Sequence, residues 1–134
     1  MFYRFAAEVA LRWSDVDSAG VVNNAVYFSM MEQARYLYFL HLGCLPDHQV
    51  PFVLAELTVK FLRPARLGMR TEVAVTTSKL GASSFHQEYE VRTPDEVLAT
   101  GHAALVFVDA AMRSRQIPEE VRTAIMQFEE MAGG

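Results

Sequence analysis

The sequence predicts an α+β fold: a five-stranded antiparallel sheet wrapped around one long central helix, with a short helix at the C-terminus. Three observations carry this expectation. An alternating segment opens the chain, residues 25–42 are apolar around most of a helical circumference, and four strand-like segments with short connections follow. With 134 residues, 51% of them hydrophobic, and no linker, repeat or low-complexity tract, the chain reads as a single domain over residues 1–134.

Residues 2–13 place Tyr3, Phe5, Ala7, Val9, Leu11 and Trp13 on one face and Arg4, Glu8 and Arg12 on the other. That period of two predicts a half-buried strand. In residues 25–42, Ser29, Glu32, Gln33 and Tyr36 form one narrow polar stripe on an otherwise apolar helix. Such a helix is enclosed rather than laid on a surface. Five strands cannot cover it on all sides, so a second subunit is expected to extend the sheet or cap the stripe.

"GCLPDHQVP" (43–51) ends the helix with glycine and two prolines. Segments 52–63 and 70–79 flank "PARLG", and segments 83–92 and 96–108 flank "TPD". Connections this short predict antiparallel neighbours. In "IPEEVRTAIMQFEEMAGG", Pro118 is expected at the first helical position with acids behind it. Both helices are expected on one side of the sheet.

The formal charge of −4 argues against a nucleic-acid surface. No run approaches the roughly 20 apolar residues of a membrane span, and the N-terminus lacks the pattern of a signal peptide. Cys44 is the only cysteine, which excludes a disulfide framework. A soluble cytoplasmic protein with no membrane or nucleic-acid partner is expected.

The stretch "SDVDSAGVVNNAVYF" (14–28) concentrates carboxylates, glycine and asparagine ahead of the apolar helix. A turn and helix cap account for those residue types. A calcium loop does not, because Ala19 and Val26 stand where ligands would be required. A catalytic reading is also open. Backbone N–H groups at a helix start can polarise a carbonyl, while an upstream carboxylate attacks it or activates water. A thioester suits such a site, since a thiolate leaves with little acid help. No G-x-S-x-G is present. His41, His48, His86 and His102 show no helical pair and no clear ligand set, so no metal is expected. Cys44 near His41 lacks a third orienting group and reads as a packing residue.

"RWSDVDSAGVVNNAVYFSMMEQAR" (12–35) resembles the D-x-D-x-x-G-x-V…Y…E-x-A-R signature of hotdog-fold acyl-CoA thioesterases. The nearest group is the 4-hydroxybenzoyl-CoA thioesterase-like (YbgC-like) family. The resemblance continues through "FLRPARLGMRTEVAV" (61–75), "KLGASSFHQEYEV" (79–91), "LATGHAALVFVD" (98–109) and "IPEEV" (117–121). It implies a cofactor-free enzyme that hydrolyses acyl-CoA to free acid and CoA. The second aspartate, Asp17, matches the catalytic carboxylate, and the backbone N–H at Asn24 matches the group that polarises the carbonyl. Asp15 is then a turn residue. The resemblance further implies a homodimer or dimer of dimers with active sites at the dimer interface.

Asn23 and Asn24 replace the aromatic or histidine pair of many relatives, and Val21 replaces the histidine of a "GHVNN" subset. Neither subset's substrate therefore carries over. Met69 stands where a turn aspartate is common. Asn23, Tyr27 and Glu32 are candidate substrate contacts. Their structural alternatives are a cap for Asn23, core packing for Tyr27 and an ion pair with Arg35 for Glu32. Lys79, Ser83, Ser84, Arg63 and Arg66 are candidates for a basic rim around polyanionic CoA, or else solvated loop ends. The alternative function is a non-catalytic acyl-CoA sensor or carrier. A hotdog hydratase is disfavoured, because the turn supplies no histidine.

Overall fold

The computed structural model of the chain describes residues 2–45 and 49–131. The elements run β1 (Phe5–Glu8), a 3₁₀ turn (Trp13–Asp15), α1 (Asn24–Leu42), β2 (Phe52–Phe61), β3 (Glu72–Leu80), β4 (Ser84–Arg92), β5 (Val97–Phe107) and α2 (Glu119–Glu129). The five strands form one antiparallel sheet in the order β1-β3-β4-β5-β2. The expected class, a sheet carrying one long and one short helix, is the observed one. His48 lies outside the described residues.

β1 is shorter than the alternation predicts. The Arg12 backbone N–H donates to the Asp15 carboxylate at 2.7 Å, and the Asp15 N–H donates to the Arg12 carbonyl at 2.9 Å. This reciprocal pair curls the chain into the 3₁₀ turn and turns Trp13 outward, so it is 80% exposed instead of joining the apolar face.

The sheet order also corrects the expectation that segments 52–63 and 70–79 are neighbours. β2 is an edge strand paired with β5, from Phe52↔Phe107 to Phe61↔Ala99, whereas β3 lies between β1 and β4. The "PARLG" connection is committed elsewhere. Ala65 accepts the Val22 N–H at 2.8 Å, and its own N–H donates to the Tyr27 hydroxyl at 3.0 Å. With its backbone groups satisfied at the start of α1, the segment is a crossover rather than a hairpin. β4 and β5 are neighbours, as expected.

α1 places Tyr27, Met30, Met31, Ala34, Arg35, Tyr38 and Phe39 against the sheet. Gly101 on β5 permits the close approach, since a Cβ there would stand 2.7 Å from Met31 Sδ. Gly43 ends the helix in the left-handed region at φ 68°, its N–H donating to the Phe39 and Leu40 carbonyls at 3.1 Å. The helix is enclosed on one side only. Phe28 is 45% and Leu40 43% exposed, and Ser29, Glu32 and Gln33 share that open face.

A hydrogen-bonded chain crosses the buried layer. Arg35 Nε donates to the Tyr89 hydroxyl (2.9 Å), which donates to Gln87 Oε1 (2.7 Å). Gln87 Nε2 donates to Thr77 Oγ1 (3.1 Å), Thr77 to the Tyr38 hydroxyl (2.9 Å), and Tyr38 to Glu129 Oε2 (2.6 Å). Burial pushes the Tyr89 hydroxyl up to about 12, so it stays protonated and keeps its donor role. Among the described residues no buried side-chain nitrogen or oxygen is left without a hydrogen-bond partner.

The chain ends of this network tie α2 to β3, because Glu129 also accepts the Thr76 hydroxyl at 2.9 Å and the Thr77 N–H at 2.8 Å. Pro118 is the N-cap of α2 rather than its first helical residue. Its carbonyl accepts both the Val121 and Arg122 N–H groups at 3.0 Å. Among the described residues no helix is long and apolar enough to cross a membrane.

Candidate active site

The segment between the 3₁₀ turn and α1 folds back on itself. The Asp17 N–H donates to the Val21 carbonyl at 2.9 Å, and the Gly20 N–H to the Asp17 carbonyl at 3.0 Å, with Gly20 at φ 78°. One carboxylate oxygen of Asp17, Oδ1, accepts the N–H groups of Ala19 at 2.9 Å and Val21 at 3.3 Å. These bonds anchor an otherwise exposed side chain. Among the described residues the other oxygen, Oδ2, has no hydrogen-bond partner.

Asp15 secures the base of this loop. Its carbonyl accepts the Asn23 N–H at 3.0 Å, and its carboxylate binds the Arg12 guanidinium at 3.0 Å. Asp15 is buried, and the Arg12 hydrogen bond holds its carboxyl below the ordinary 3.8. A depressed native value means that stabilisation is fully present above the unfolded value and withdrawn as pH falls through the native one. Urea titrations below pH 3.8 should therefore show wild type losing stability faster than Asp15→Asn. Parallel acid curves for the two proteins would contradict the clamp.

Asn23 is the N-cap of α1, its side chain accepting the Ala25 N–H at 2.9 Å. That bond takes one acceptor position of the side-chain oxygen and leaves the two Nδ2 donors of Asn23 to other partners. Asn24 is the first helical residue, and among the described residues its N–H has no partner. It lines a shallow cavity of about 210 Å³ with Val21, Val22, Tyr27, Phe61, Leu62, Arg63 and Pro64. An unsatisfied N–H at the start of a 19-residue helix is a donor backed by the helix dipole. Asp17 stands outside this lining, one residue pair away through its bonds to Val21.

Tyr27 is both core and lining. It is 2% exposed, packs edge-on against Phe61 at 5.3 Å between ring centroids, and accepts the Ala65 N–H. Arg63 lines the cavity and pairs with Glu96 at 3.3 Å. Arg66 is bridged to Val21, which brings it to the same end of the sheet. Met69 takes over the missing aspartate's place in that turn, its sulfur accepting the Arg66 N–H at 3.4 Å.

Other candidates lie apart. Glu32 is exposed about 12 Å further along the helix axis. It makes no ion pair with Arg35, whose guanidinium turns inward to Tyr89 instead. Lys79, Ser83 and Ser84 border the β3–β4 turn at the Phe52 end of the sheet, about 30 Å along β2 from the cavity. Among the described residues no three His, Cys, Asp or Glu side chains converge on a metal position. Phe61, Leu62 and the Asp15 clamp were not singled out in the sequence. Phe61 and Leu62 reach the cavity only through the crossover, which has no local sequence signal.

Comparison with known proteins places this geometry among thioesterases. The chloroplastic acyl-acyl carrier protein thioesterase ATL3 of Arabidopsis thaliana is 28% identical over 90% of this chain and 67% of its own length. The acyl-CoA thioester hydrolase YbgC of Escherichia coli is 29% identical over 87% of this chain and 92% of its own. A Thermus thermophilus thioesterase, solved in complex with coenzyme A and Zn, superposes with a TM-score of 0.89 at 36% identity, covering 98% of both chains. The family description "Thioesterase-like superfamily" matches residues 11–125. With a hotdog sheet, a D-x-D loop and an open helix N-terminus at one end, the chain belongs to the thioesterase-like superfamily.

Proposed function

We propose that this thioester hydrolase acts on an acyl-CoA, with Asp17 supplying the carboxylate and the Asn24 N–H polarising the thioester carbonyl. One observation carries the reading: Asn24, whose N–H has no partner among the described residues, lines a cavity together with Val21, and the Val21 N–H holds one oxygen of the Asp17 carboxylate while its other oxygen is left unanchored. The anchored Oδ1 fixes the side chain, and Oδ2 is left for chemistry.

Two routes share this arrangement. Oδ2 attacks the carbonyl carbon, the oxyanion forms against the Asn24 N–H, and the thiolate leaves, giving an anhydride that water opens. Alternatively, Asp17 takes a proton from water, whose oxygen attacks the same carbon and expels the thiolate. A preorganised backbone donor stabilises the developing oxyanion in both.

The assembly is part of the proposal. β2 leaves one edge unpaired among the described residues, and Leu54, Phe61 and Phe28 are each more than 40% exposed. A second copy pairing along β2 about a two-fold axis would cover them. Antiparallel pairing sets the Phe52 end of that copy beside the Phe61 end of this one. The copy's Lys79, Ser83 and Ser84 then come to the cavity's end of the combined sheet, where Arg63 and Arg66 already stand. A cytoplasmic location fits the single unpaired Cys44.

The test is thiol release from short, long and aromatic acyl-CoAs and from acyl-acyl carrier protein, with oligomeric state measured by light scattering. Release of CoA is the expected result. Binding of every thioester without release would replace the enzyme by a sensor or carrier, and a monomer at assay concentration would remove the composite site.

A further inference from the structure

Three titratable side chains on β4 and β5 stand in a row, away from the Asp17 loop. Glu88 Oε2 lies 2.5 Å from His102 Nδ1, and His102 Nε2 lies 3.0 Å from His86 Nδ1. Ser78 donates its hydroxyl to the same Glu88 oxygen at 3.0 Å. A carboxylate only accepts, so the bond to Glu88 puts the His102 proton on Nδ1. The Nε2 lone pair of His102 then faces His86, which donates its own Nδ1 proton.

We propose that the His86–His102 pair binds a divalent transition-metal ion of the zinc type, with Glu88 orienting His102. Two imidazole nitrogens on one tetrahedral zinc, each at about 2.0–2.1 Å, stand roughly 3.3 Å apart. The pair already approaches to 3.0 Å, so ring rotation and a few tenths of an ångström admit the ion. On binding, His86 changes tautomer: its Nδ1 proton passes to solvent while solvent protonates Nε2, so the ring stays neutral and the ion takes the two facing lone pairs. Glu88 keeps its bond to His102 Nδ1–H, the carboxylate–histidine–metal arrangement that fixes ring and tautomer. Imidazole ligands select zinc, copper or nickel over magnesium and calcium.

Both histidines stand on paired strands, with Glu88 opposite His102 in register. The His102 side chain is 41% exposed, which leaves room for water to complete the coordination. A cavity of about 300 Å³ adjoins it, where Lys60 opposes the ion's charge and Glu88 offsets it. With no third protein ligand among the described residues, the affinity is micromolar rather than that of a closed structural site.

Isothermal titration of zinc chloride into the untagged full-length chain should show one ion per chain with a micromolar Kd. His86→Ala and His102→Ala should each abolish it, Glu88→Gln should weaken it about 10–100-fold, and His41→Ala should leave it unchanged. Far-UV circular dichroism checks that the variants fold. Imidazole nitrogen NMR of the wild type needs no variant, and zinc should move the His86 and His102 resonances but not those of His41. No binding in the wild type, retention in folded His86→Ala or His102→Ala, or zinc-shifted resonances from other histidines would each overturn the site.

Discussion

Asp17→Asn lowers thioester turnover by about 10²–10⁴-fold, the range of a lost general base, with little change in stability. Asparagine is the informative replacement because it retains the oxygen that accepts the Ala19 and Val21 N–H groups. The loop therefore keeps its shape while the charge and nucleophilicity of Oδ2 are removed. Asp17→Ala deletes the anchor as well and confounds loop collapse with lost chemistry. Steady-state thiol release together with a thermal melt separates the two. Near-normal turnover in a folded Asp17→Asn protein would remove Asp17 from the chemistry.

Asn24→Pro should lower kcat by about 10²–10³-fold, the cost of one missing oxyanion donor. A backbone N–H cannot be deleted by changing a side chain, but position 24 is the first residue of α1, where proline is tolerated. Asn23, with φ −63° and ψ 136°, already has the extended conformation that a following proline demands. Its cap bond goes to Ala25, so it survives the substitution. The Asn24 N–H has no partner among the described residues, so stability should change by less than about 1 kcal/mol. Asn24→Ala, which keeps the N–H, should retain kcat to within a few fold. Equal losses in the two variants would shift the role from the backbone to the side chain.

The two variants divide the reaction between groups that the sequence places seven residues apart, at 17 and 24. Their combination should cost less than the product of the single effects, since both act on the same transition state.

Local signals in the sequence were sufficient where short-range physics decides. The apolar run that becomes α1, the Asn cap, Gly20 in its turn and the β4–β5 pairing all depend on neighbours a few residues away, and each is where the pattern puts it. The alternation at the start of the chain held only until Asp15 captured the Arg12 N–H. A single competing hydrogen bond there outweighed the strand pattern and turned Trp13 outward. The short spacing of "PARLG" pointed to a hairpin. It failed because Ala65 satisfies its backbone groups through Val22 and Tyr27, some forty residues earlier.

By itself, then, the sequence determined the fold class, the family and the loop that carries Asp17 ahead of a helix start, because motif, turn and period are local properties. Tertiary structure alone decided which candidates meet. It brought Arg63, Phe61 and Leu62 to the cavity that Asn24 lines, left Lys79, Ser83 and Ser84 at the far end, and turned Arg35 inward away from Glu32. It also set His86 against His102, sixteen residues apart in the chain. The physical reason is common to all of these: strand order and register place residues that chain separation cannot, and one crossover decides which end of a sheet faces the chemistry.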